Sequence, residues 1–124
     1  MKILSITGIA LTWFGLGCAG SYPPPTQQMA DVQSANRSAT ELGAQNNPKA
    51  QLHLKLAEEQ LNQAKKAMAA DDNQSAESLL MRAKADAELA VALTRADTAK
   101  VGASHATDQA NVQRATNAET GAHQ

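Results

Sequence analysis

Apolar positions recur at three- and four-residue intervals through most of the chain, in three blocks separated by polar breaks. In the first, from about Gln28 to Leu42, Val32, Ala35, Ala39 and Leu42 share one helical face. Gly43 suits the left-handed position that follows a helix. Asn47-Pro48 then reads as an N-cap followed by a first helical residue. The second block runs to about Ala70, with a seam of Ala50, Leu54, Ala57, Leu61, Ala64 and Met68 that steps 4, 3, 4, 3, 4. Leu52 and Leu56 widen its apolar face. Asp71-Asp72-Asn73 breaks the pattern, and Asp72 or Asn73 can cap a third helix from about Gln74. There Ala76, Leu80, Ala83, Ala87 and Ala90 repeat the spacing, flanked by Leu79, Met81, Leu89, Val91 and Leu93.

Two seams of similar length joined by a short polar turn predict an antiparallel helical hairpin, with the first block as an extra N-terminal helix. The fold class is therefore all-α: an elongated hairpin plus one helix. The third helix outruns its partner, because Ala99, Ala103, Ala106 and Ala110 keep the spacing after the leucines stop. Two arrangements follow. The first helix lies end-on to the second along the third, or all three form a compact bundle. The polar stretch 116–124 reads as a flexible tail.

A different pattern occupies the N-terminus. After Lys2, residues Ile3 to Gly17 are almost entirely apolar or small, and the run stops at Cys18, the one cysteine of the 124 residues. Fifteen residues fall short of the roughly 20 that a membrane-spanning helix needs. A charged start, an apolar centre and a small residue before a cut describe a secretory signal. With cysteine at the cut, the segment resembles a bacterial lipoprotein signal peptide, although Gly15 stands where that pattern usually has leucine. The resemblance implies that residues 1–17 are removed and that Cys18 is acylated. With no Asp after Cys18, it also implies an anchor in the outer membrane, facing the periplasm. An unpaired cysteine in an exported chain is otherwise a liability, which favours acylation. Ordinary cleavage after Ala19, with Gly17 and Ala19 as the small recognition residues, is the alternative and would release a soluble periplasmic module. Residues 18–27 contain Pro23, Pro24 and Pro25 and read as a stiff tether. That leaves 28–115 as the helical domain.

Composition narrows function more than it defines it. Removing residues 1–17 takes away Lys2 and leaves ten basic against twelve acidic side chains, a formal charge of −2. No basic surplus points to nucleic acid. Beyond Tyr22 there is no aromatic residue, and the large apolar residues are sixteen Leu, Met and Val. Aromatics bring the most buried area per residue, so the core is thin and a ligand pocket is not expected.

The segment from Pro48 through Ala92 resembles a family of bacterial envelope lipoproteins, the domain-of-unknown-function 4398 family. The features that carry the likeness are Leu54, Ala57, Leu61, Ala64, Ala76, Leu80, Ala83, Asp86, Ala87 and Ala90. It covers about residues 28–96. Members often have Gly-Asp-Tyr at the hairpin turn, whereas this chain has Asp71-Asp72-Asn73. The resemblance implies a helical hairpin and an envelope location, and no particular activity.

Candidate chemistry is sparse. His53, His105 and His123 share no metal-ligand spacing, and His53 is expected to face solvent. Glu58 and Glu59 point apart on a helix, while Asp71 and Asp72 suit a turn. Arg82–Asp86 and Lys84–Glu88 have the spacing of exposed ion pairs. These residues assemble no base, orienter and pocket, so the expectation is a non-enzymatic protein without metal or cofactor. Its expected contacts are the membrane through lipid, and an envelope protein or a second copy. Leu52, Leu56, Leu79 and Val91 are the candidate interaction face, with completion of the core as the competing role.

Overall fold

The computed structural model describes residues 22–122. It contains α1 (Thr26–Glu41), a 3-10 turn (Ala44–Asn46), α2 (Pro48–Ala69) and α3 (Asn73–Ala122). At 1.5 Å per residue, α3 with its 50 residues is about 75 Å long.

Local chemistry sets the boundaries. α1 ends at Glu41 with Leu42 as its C-cap, after which Gly43 takes φ +86°, a conformation that costs glycine nothing. Asn47 caps α2, its side-chain oxygen accepting from the backbone N–H groups of Lys49 and Ala50 at 3.0 and 3.1 Å. At the far end of α2, Asp71 N–H donates to the Met68 carbonyl and Asp72 N–H to that of Ala67. This is a Schellman closure with Asp71 in the left-handed position at φ +59°. The two candidate caps for α3 divide the work. Asp72 accepts from the Ser75 backbone N–H at 3.1 Å, while the Asn73 side chain reaches Tyr22.

The helices lie side by side as an up-down-up bundle, so the end-on arrangement is not adopted. Val32 of α1 packs with Leu61 and Ala64 of α2 and with Ala76, Leu80 and Ala83 of α3. At the other end Ala39, Ala44, Ala50, Leu54 and Ala90 form a second cluster. This order makes α1 parallel to α3 and antiparallel to α2. All five seam positions predicted on α3 are fully buried. On α2 the seam alanines Ala50, Ala57 and Ala64 are fully buried and Leu54 and Leu61 nearly so, while Met68 is half-buried against the first cluster.

Among the described residues from Thr26 onward, nine of the thirteen buried apolar residues are alanines, so close helix approach takes the place of large side chains. The α1 face differs from expectation. Asn36, not Ala35, is buried between Val32 and Ala39, and Leu42 falls on the cap and is exposed. A strict 4, 3 step from Val32 selects position 36 whatever its polarity.

Past Thr94, the last buried residue on α3, the helix leaves the bundle. It continues through 116–122, where the sequence suggests a flexible tail.

Two outcomes follow for thermal unfolding. Leu80 is fully buried, so Leu80→Ala costs about 3 kcal/mol and largely unfolds so thin a bundle. Asp71→Gly relieves the left-handed position and raises the melting temperature by a few degrees, which calorimetry reads directly.

Candidate functional site

Three polar clusters tie the helices together outside the seam. The first is at the turn end of the bundle. The Tyr22 hydroxyl donates to Glu77 Oε2 at 2.6 Å, and Gln28 Nε2 donates to Glu77 Oε1 at 3.3 Å. Asn73 Nδ2 donates to the Tyr22 carbonyl at 2.8 Å. Pro25 is buried, and α1 already begins at Thr26. The latter part of the proline-rich stretch is thus fastened to the first turns of α3. The Glu77 carboxylate, by hydrogen bond and then by charge, holds the Tyr22 phenol above its ordinary value. Beside it, the Ser75 hydroxyl and backbone N–H hold the Asp72 carboxyl below its usual range. That contribution to the α3 cap is present above the ordinary aspartate range and is lost as pH falls through the lowered value.

The second cluster joins α2 to α3. His53 Nδ1 lies 2.8 Å from Asp86 Oδ1, and Gln60 Nε2 donates to Asp86 Oδ2 at 2.8 Å. His53 is therefore half-buried rather than solvent-facing. Asp86 is taken up across the helix pair, not by Arg82, whose Nε donates to the Ser78 carbonyl. Gln60 Oε1 is buried without a partner, as is Asn36 Oδ1.

The third cluster spans α1 and α3. Lys84 Nζ lies 3.6 Å from Asp31 and 4.0 Å from Glu88, realising the predicted i, i+4 pair. An open groove of about 450 Å³ beside it is lined by Asp31, Ser34, Ser38, Glu88, Val91 and Arg95.

The four candidate interaction residues do not form one surface. Leu79 packs against the turn-end cluster and Val91 against the other. Twelve residues separate them on α3, about 18 Å. Leu56 is half-buried, and Leu52 is 56% exposed. Cys18 lies outside the described residues. Sequence reasoning missed Tyr22, Glu77 and Gln60, whose partners lie 26 to 55 positions away and carry no spacing signal. Among the described residues, no three His, Cys, Asp or Glu side chains come together as metal ligands, and no helix is long and apolar enough to cross a membrane.

These features define a small all-α bundle bound by an alanine-rich seam and polar ties, with one helix running on beyond it. The chain belongs to the family described as Domain of unknown function (DUF4398), whose model matches residues 27–106. The match takes in α1, α2 and the first two-thirds of α3, ten residues beyond the stretch where the resemblance is legible. No curated protein and no solved structure matches the chain.

Asp86→Ala leaves His53 and Gln60 without their shared acceptor and destabilises the bundle by about 1–2 kcal/mol. A double-mutant cycle with His53→Ala checks this, since the two losses are less than additive if the pair is real. Leu52→Glu, at an exposed position, retains full helical circular dichroism.

Proposed function

We propose that the mature chain begins at Cys18, is held in the outer membrane's periplasmic leaflet by acyl chains on that residue, and serves as a non-enzymatic structural or protein-binding module of the cell envelope. The observation that carries this reading is the position of the single cysteine, directly after the apolar run Ile3–Gly17. Each methylene buried in the bilayer contributes about 0.8 kcal/mol, so two or three chains give a lasting anchor.

The non-enzymatic part draws support from how the polar side chains are used. Asp86 and Glu77 each accept from two donors on other segments of the chain, which makes them ties within the fold. The interior is filled by alanine and a few larger aliphatic side chains. For contacts with a protein partner, Leu52 is the candidate that the bundle leaves outside. The second reading, a soluble periplasmic module, rests on the small residues Gly17 and Ala19.

Intact mass of the native protein extracted from membranes separates the two. The expected species begins at Cys18 and is heavier by its acyl groups. A chain that begins at Gly20 without modification overturns the anchor in favour of the soluble module.

A further inference from the structure

We propose that the lipid-anchored molecule stands end-on, with the turn between α2 and α3 against the lipid headgroups and the end of α3 farthest from them. The proposal rests on acylation of Cys18 and adds a direction to it.

The direction comes from the Tyr22 clamp. Were residues 18–27 a free spacer, Cys18 could sit about 30 Å from the bundle in any direction. Instead Tyr22 is fixed through both its hydroxyl and its carbonyl to Glu77 and Asn73, in the first turns of α3. Only Ala19, Gly20 and Ser21 separate Cys18 from that clamp. Four Cα steps reach at most about 14 Å. The anchor therefore emerges at the turn end, close to Asp71 and Asp72.

The other end of the molecule is far away. Thr94, where α3 leaves the bundle, lies about 30 Å along the helix from Asn73, and Ala122 about 75 Å. Lying flat would require a basic or apolar stripe along the flank to hold it down. The exposed part of α3 beyond Thr94 carries only Val101 and Val112 as large apolar residues, set among Arg95, Asp97, Lys100, Asp108, Arg114 and Glu119, and the mature chain is slightly acidic. The short clamp thus turns the stretch of α3 beyond Thr94 into an arm directed away from the membrane.

Energy transfer to a headgroup-labelled lipid tests this. Lys66→Cys and Glu119→Cys are each prepared as the native lipidated protein, in which the Cys18 thiol is blocked by the lipid. Each is labelled at the new thiol and reconstituted in vesicles of phosphatidylethanolamine and phosphatidylglycerol. Circular dichroism checks the fold, since both positions are exposed. Transfer from position 66 is expected to exceed that from position 119 several-fold. Equal transfer, or the reverse order, from a chain whose mass shows acylated Cys18 overturns the orientation and leaves the anchor standing. A mass showing unmodified Cys18 overturns both.

Discussion

Close approach of helices along an alanine seam is the constraint on which the rest of this structure depends. Ala76, Ala83, Ala87 and Ala90 of α3 and Ala57 of α2 have no exposed surface; Ala64 of α2 packs with Ala76 and Ala83, and Ala39 of α1 and Ala50 of α2 pack with Ala90. Helices that touch through methyl groups sit near the short end of the 8–10 Å range of axial separation. Each contact is weak, and stability comes from many of them at close range. Val32, Leu54, Leu61 and Leu80 supply what larger side chains the core has. There is correspondingly little room to enlarge a seam residue without forcing the helices apart.

A core of this kind is poor at distinguishing one helix pairing from another, because alanine stripes look alike. The polar ties supply the distinction. His53 and Gln60 meet Asp86 at one register of α2 on α3, and Gln28 and Tyr22 meet Glu77 at one register of the N-terminal segment on α3. Asn36 is a buried polar residue in the middle of α1, with its side-chain oxygen unpartnered. Such a group costs stability and penalises shifts that would bury it more deeply.

The hairpin was legible because burial on a helix follows spacing: the seam from Ala50 to Ala64 and that from Ala76 to Ala90 are the positions the bundle closes over. The caps were legible because Asn47, Gly43 and Asp72 act within three residues of themselves. What escaped was whatever depends on a distant partner or contradicts the binary pattern. Asn36 is polar where the face calls for an apolar residue. His53 looks like an ordinary flanking residue until Asp86, 33 positions on, is placed beside it. Tyr22 and its prolines have the composition of a spacer, and only the parallel course of α1 and α3 brings them onto Glu77. On the candidate site, spacing could name apolar residues beside the seam, but not divide them between core and surface. Leu79 and Val91 are half-buried because each packs on α3 against one of the two core clusters, to which α1 and α2 both contribute.

The up-down-up order has a kinetic consequence. Each helix is joined to the next by a tight turn, at Gly43–Asn47 and at Ala70–Asp72, and the α2–α3 hairpin holds most of the contacts between helices, while α1 packs mainly on α3. Closing such short loops costs little chain entropy. Folds dominated by local contacts cross their barrier in microseconds to milliseconds. A chain that enters a compartment unfolded can therefore assemble this bundle as soon as its three helices have arrived, before slow aggregation has time to compete.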